Sequence, residues 1–424
     1  RAVEHDLLAG LVHPARGLAE RGTPQHSFPL AGLARELGLP TWPAVHIGYH
    51  PTGPDDRAPT MWSIGWPLLL APVYKLGGLT AVYWAAPLAG LLALGVTALL
   101  VDEALRGLER GVRWSVAALC CALVATSPEG SERLLVPMAD AASQLFAVLT
   151  LWLLLRGGRA RSSRSVLLHG ALAGASFGAA YWVRHPLLPL GAAAVAAVLY
   201  RSPRVRDSRG EGEGRKPWIL LIAFALAALL VALPDLAYHK VAYGGWLNSE
   251  SSEWFLLSAR NVGRALSGVL QQGLLRREET GYLAPLVLYG AWLLGRLHRR
   301  AAVVLGAAFV GVFAFHLLYE ALRPRDLIAI LPLLYLCAAY GWVNAWRRLR
   351  WRGTPGAAAL LVCLAVLLST RSTHVLSMPW RTNVTTFGHV PADQARAFER
   401  LGELTPENAV IGSMLNSGAI ELHS

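Results

Sequence analysis

The sequence predicts an all-α polytopic membrane protein, and three observations predict it. First, 54% of the 424 residues are hydrophobic and only 16% are charged, against roughly 25% charged in an ordinary soluble domain; the mean hydropathy is +0.40. Second, ten apolar stretches stand out, at about 78–100, 112–127, 135–155, 165–182, 186–200, 217–237, 281–297, 301–319, 325–345 and 355–371. A crossing needs about 20 such residues. Third, arginine fills alternate gaps between them. Arg106, Arg110 and Arg113 lie in one gap, Arg156, Arg159, Arg161 and Arg164 in another, Arg296, Arg299 and Arg300 in a third, and Arg347, Arg348, Arg350 and Arg352 in a fourth. The low-complexity segment 201–216 adds six basic residues against three acids. Positive charge is retained on the cytoplasmic side, so these gaps predict one orientation for every span. The formal charge of +12 is accounted for by them, and no nucleic-acid partner is expected.

The elements follow in order. Residues 1–60 carry balanced charge with many Pro, Gly and His and are expected as a first outer loop. Residues 61–77 are apolar but short and interrupted by Pro67 and Pro72. Counted as a crossing, they would invert the charge pattern after them. They are expected to be an interfacial or re-entrant segment that returns to the outer face, so that 1–77 form one unit. Residues 78–371 are expected as the transmembrane domain, rich in Ala, Gly and Leu that let helices approach closely. The segment 238–280 is expected as an outer loop with a surface helix near 253–275, and 372–424 as the start of a small soluble outer-face domain. Because the first residue is Arg1 and no apolar span precedes the first polar region, a further N-terminal span is expected upstream. Cys120, Cys121, Cys337 and Cys363 lie inside apolar stretches and read as small core residues.

The chemistry-capable side chains fall on the expected outer face. Asp140 opens the stretch 135–155. It is either a helix cap favoured by the dipole or a site carboxylate facing a cavity. Asp55 and Asp56 follow Gly53-Pro54 and are either a solvated turn or a general base. Asp6, with Glu4 behind it, offers the same two readings. Arg184, Arg323, Arg325 and Lys240 sit at span ends. A guanidinium there anchors to lipid headgroups or binds a phosphate. His5, His13, His26, His46 and His50 show no metal-ligand spacing, and no phosphate-binding glycine loop is present.

Six strings in this order resemble the GT-C glycosyltransferases, in particular the family 39-like group of protein O-mannosyltransferases and lipid A aminoarabinose transferases. They are GYHPTG at 48–53 with MWSIGWPLLLAPVYKLGG at 61–78, PMADAA at 137–142, VRHPLLPL at 183–190, YGGWLNS at 243–249, RPRDLIAILPLL at 323–334 and NAVIGSMLNSGAIEL at 408–422. The resemblance implies a GT-C fold and transfer of a sugar from a polyprenyl-phosphate donor to a lipid, glycan or protein acceptor, on the periplasmic or extracellular face of the cell membrane. It implies a first-loop acid as base, matched best by Asp6, and a second acid matched by Asp140. It also implies basic residues on the donor phosphate, matched by Arg184 and Arg325, with Lys240 weaker. No metal ligand is assigned, although a divalent ion is compatible with the chemistry. The chain departs from the family where Asp326 replaces the usual tyrosine and where Ala141-Ala142 replace the proline after the second acid. A transporter or flippase of lipid-linked sugar, or a catalytically silent GT-C relative, are the rival classes.

Overall fold

A computed structural model describes residues 6–41, 45, 49, 56–200, 216–247, 256–271, 279–320, 322–350, 355–377, 392–406, 409 and 411. The chain begins with helix α1 (Asp6–Arg21), strand β1 (His26–Ser27), helix α2 (Pro29–Glu36) and strand β2 (Arg57–Ala58). The two strands pair antiparallel, His26 opposite Ala58. Then follow α3 (Gly65–Ala104), α4 (Arg110–Ala125), α5 (Pro128–Glu132), α6 (Asp140–Gly157), α7 (Ser163–Val183), α8 (Ala192–Leu199) and α9 (Lys216–Tyr243). The remainder is α10 (Val262–Val269), α11 (Ala284–Leu297), α12 (Arg299–Leu317), α13 (Leu331–Arg350), α14 (Pro355–Ser377) and α15 (Ala392–Leu404). Tight 3-10 segments at His185–Gly191 and Pro324–Ile330 lead into α8 and α13.

All ten apolar stretches contain a helix. Among the described residues, six helices are long and apolar enough to cross a membrane: α3, α7, α9, α12, α14 and the run Pro324–Leu349 that contains α13. The helices α4, α6, α8 and α11 are shorter or less apolar, with 16, 18, 8 and 14 residues. Of the surface helix expected over 253–275, the described residues are helical from 259 to 271, through the turn Ala259–Asn261 and α10. The expected boundary at 371/372 falls inside α14.

At 40 residues, α3 would extend about 60 Å at 1.5 Å per residue, twice the roughly 30 Å of a bilayer core. It breaks at Gly77 (φ −147°, ψ 17°) and Gly78 (φ +62°, ψ −160°). The second of these is a backbone conformation open mainly to glycine. Trp66 and Leu70 before the break and Val82 and Ala86 after it share one apolar cluster with Leu11, Val12 and Ala15 of α1. The two limbs therefore flank the same helix.

Close backbone approach sets the register of the central pair α7 and α9. A Cβ added at Gly170 or Gly178 would meet the carbonyl of Leu220 (2.7 Å) or Ala228 (2.8 Å), and one at Gly174 would clash with that of Phe224. Small residues at i, i+4 and i+8 share one helix face and let two backbones touch. Because 170, 174 and 178 meet 220, 224 and 228 in rising order, α7 and α9 run parallel. Gly290 and Gly341 likewise meet each other and the carbonyls of Cys337 and Leu286, which seats α11 closely against α13.

The arginine gaps converge. Arg159 donates to the Glu103 carboxylate at 2.6 Å, Arg300 donates to the Gly158 carbonyl, and Arg347 pairs with Glu109 at 3.6 Å. These contacts join the gaps 101–113, 156–164, 296–300 and 346–354 at one end of the bundle. A parallel α7 and α9 set the start of α9 beside the start of α7, at that same end.

Candidate active site

The opposite end holds acids and arginines in closer association. Asp140 is the first residue of α6, where an acid faces the positive end of the helix dipole. Pro186 cannot continue α7, and Arg184 takes an extended backbone (φ −154°, ψ 98°) that ends that helix. The Pro324–Ile330 segment carries Asp326 in its first turn, where its Oδ2 accepts the Arg323 backbone N–H at 2.9 Å. These three termini meet. Arg184 Nη1 donates to Asp140 Oδ1 at 2.5 Å, Nη2 donates to Asp326 Oδ1, and Nη1 also reaches the Arg325 carbonyl at 3.3 Å. Asp140 and Asp326 are buried, with side chains 5% and 4% exposed. Arg323 Nε lies 3.3 Å from Asp326 Oδ2 and Arg325 Nε 3.9 Å from Asp326 Oδ1. Gln144 on α6 donates to the Ile328 carbonyl at 3.0 Å, which holds the Asp326 segment against the helix that carries Asp140.

This cluster faces a cavity of about 430 Å³. Its apolar walls include Leu11, Met61, Trp62, Met138, Pro186, Leu188 and Phe315, and its polar ones Ser63, Asp140, Arg184, His185, His316, Arg323, Arg325 and Asp326. Three arginines face two carboxylates, so the lining carries a surplus formal positive charge if its histidines are neutral. His316 is buried, and its Nδ1 donates to the Val312 carbonyl at 2.8 Å, which directs Nε2 as the acceptor nitrogen. An apolar cleft with a few convergent polar groups is the usual form of a small-ligand site.

The predicted residues divide. Asp140, Arg184 and Arg325 are brought together. Asp6 begins α1, and Leu11 five residues on lines the cavity; the Asp6 side chain itself is outside the described residues. Asp55 lies outside them as well. Asp56 has φ +59°, its carbonyl accepts the Phe28 N–H at 2.8 Å, and its carboxylate lies against Gly32 of α2. It belongs to the β1–α2–β2 unit and is not among the cavity residues. Lys240 is exposed, donates to the Gly244 carbonyl at 2.8 Å, and is also absent from the lining.

Sequence reasoning missed three things. Asp326 was visible only as a departure from a family string, yet it is the second acid on Arg184. A buried network was not foreseen either. Arg371, 1% exposed, donates to the carbonyls of Glu279 and Leu123 at 2.7 Å each, to Tyr335 Oη at 3.1 Å and to Thr126 Oγ1 at 3.1 Å. The Glu279 carboxylate accepts from Ser127 and Tyr335. That network ties α14 to α4, α5 and α13. The third is a trio, His185, Asp235 and His239, whose candidate ligand atoms lie within 4.8 Å of one another and could hold a metal ion. Only the Asp235/His239 spacing of four on α9 was available as a local signal.

The chain is thus a bundle of apolar helices with an arginine–carboxylate cluster at one end and an arginine-rich end opposite. Solved structures share this arrangement of helices. The chain is similar to ArnT from Cupriavidus metallidurans bound to undecaprenyl phosphate, with TM-score 0.60 at 16% identity over 99% of this chain and 81% of that one. It is similar to the Archaeoglobus fulgidus oligosaccharyltransferase in complex with Zn and sulfate, at TM-score 0.53 and 13% identity over 98% of this chain and 54% of that one. It is similar as well to the oligosaccharyltransferase AglB of that archaeon in complex with an inhibitory peptide and a dolichol-phosphate, at 0.52 and 14% over 98% and 57%. No family model and no curated protein matches the sequence. The likeness establishes the GT-C fold.

Proposed function

We propose that this protein is a glycosyltransferase that moves a sugar from a polyprenyl-phosphate donor to an acceptor hydroxyl or amine. The observation that carries the reading is the Asp140–Arg184–Asp326 cluster, with Arg325 beside it, opening on an apolar cavity. Its support is that ArnT and AglB, which share the fold, have been solved with undecaprenyl phosphate and a dolichol-phosphate. An apolar cleft suits a prenyl chain, and surplus arginine suits its phosphate.

In the proposed step the acceptor oxygen or nitrogen attacks the anomeric carbon. The bond from that carbon to the phosphate oxygen breaks, and polyprenyl phosphate leaves with the electron pair. A carboxylate takes the acceptor proton; Asp6 holds this role by position and Asp140 is the described alternative. Arg184 is already engaged by two acids, so it positions them and lends its remaining donors. Arg325 is the better cation for charge that develops on the leaving phosphate. Lys240 and Asp56 sit outside the cavity lining and are assigned supporting places only. By the positive-inside rule the arginine end lies in the cytoplasm, so the site opens on the periplasmic or extracellular face of a cell membrane, with Gly65–Leu76 as an interfacial limb.

Radiolabelled polyprenyl-phosphate hexose and pentose, supplied with a membrane lipid and peptide extract to the purified protein in detergent, test this. Consumption of donor with label appearing on an acceptor supports transfer. Donor left intact in detergent but translocated across proteoliposomes marks a transporter, and donor left intact in both marks a silent relative.

A further inference from the structure

We infer that His185, Asp235 and His239 form a binding site for one divalent transition-metal ion of the zinc class, set in the wall of the cavity. The register that joins α7 to α9 creates it. The pairs 170/220, 174/224 and 178/228 continue in step to 185/235, so His185, just past the end of α7, arrives beside Asp235. Asp235 and His239 are four residues apart on α9 and share a face. His185 Nε2 lies 3.0 Å and His239 Nε2 3.9 Å from Asp235 Oδ2, and the three ligand atoms all lie within 4.8 Å of one another. Tetrahedral zinc with bonds of about 2.0–2.1 Å separates its ligand atoms by about 3.3 Å, inside this range.

The donor set is two imidazoles and a carboxylate, which suits zinc over calcium or magnesium. Asp235 is 0% exposed, and an isolated buried carboxylate is costly without compensation. The Tyr181 hydroxyl lies near it, and the His185 ring lies 4.8 Å from the Tyr181 ring. His185 alone of the three lines the cavity, and three protein ligands leave zinc one place for water or a ligand oxygen. A plain Asp–His hydrogen bond would explain the 3.0 Å contact. The second histidine faces the same oxygen at 3.9 Å, with its ring edge-on to those of His185 and Tyr243.

The test uses the full chain in detergent, stripped with chelator, then given zinc chloride or cobalt chloride and desalted. The expected result is one zinc per chain by elemental analysis and, for cobalt, the visible absorption of a tetrahedral nitrogen–oxygen site without thiolate charge-transfer bands. Asp235→Asn and His239→Gln are each expected to weaken zinc at least about 100-fold. His169→Gln, a histidine bonded to the Ser165 carbonyl at 2.7 Å on α7, is expected to bind as wild type does. Folding of each variant is read by gel filtration; if Asp235→Asn does not fold, His185→Gln takes its place. Wild-type protein that retains no stoichiometric zinc overturns the inference, and so do folded variants that bind as tightly as wild type. The readout is independent of sugar transfer, so this site and the proposed activity stand or fall separately.

Discussion

The two ends of the bundle use arginine in opposite ways. At one end the pair Arg347–Glu109 is loosely held, 40% and 78% exposed. At the other end Arg184 is gripped by two buried carboxylates, and Arg371 is locked into four other groups. Surface pairs contribute about 0–1 kcal/mol, so an arginine such as Arg347 is explained by orientation. A buried charge is tolerated only with well-placed partners, so the second end owes its arginines to structure and chemistry. The same residue type marks a membrane side in one place and a site in the other.

Substitutions can break this contrast. The largest effect is expected for Arg184→Gln, which leaves Asp140 and Asp326 buried without their shared partner. A loss of about 3–5 kcal/mol should appear as a lowered thermal midpoint in detergent, and sugar transfer should fall by at least about 100-fold. Arg371→Met is expected to cost a similar ~3–5 kcal/mol, but the fraction that remains folded should keep its turnover, because this network does not line the cavity. Equal loss of turnover per folded molecule in both variants would erase the distinction between structural and chemical arginines. Gly174→Val drives a side chain into the Phe224 carbonyl and is expected to cost about 1–3 kcal/mol, with weakened zinc binding as α7 and α9 separate. The smallest effect is expected for Arg347→Ala, within about 1 kcal/mol and with transfer unchanged. A large loss there would show that the arginine end carries more than orientation.

The alternation of arginine was legible because it needs no tertiary information. A cationic gap is cationic wherever the helices pack, and the contacts Arg159–Glu103 and Arg347–Glu109 join gaps that the alternation had already grouped. The helices were legible because a buried or lipid-facing helix is apolar all round. Asp140, Arg184 and Arg325 were legible as polar residues at span ends. What escaped was pairing across long separations. Asp326 is bonded to Arg184 from 142 positions away, and Arg371 to the Glu279 carbonyl from 92; neither pair leaves a local periodicity. His185 and Asp235 are brought together only by the parallel register of α7 and α9, which rests on three glycines that read in sequence as ordinary small residues of a membrane helix.

The central claim is that the enclosed end performs sugar transfer from a polyprenyl phosphate. The most direct measurement follows labelled polyprenyl-phosphate hexose and pentose with purified wild type, Arg325→Gln and Asp140→Asn, each first shown to be folded by gel filtration. Wild type is expected to consume one of the donors and label an acceptor, and both variants to fall at least about 100-fold below it. Donor that survives wild type intact, or variants that transfer at the wild-type rate, would contradict the account.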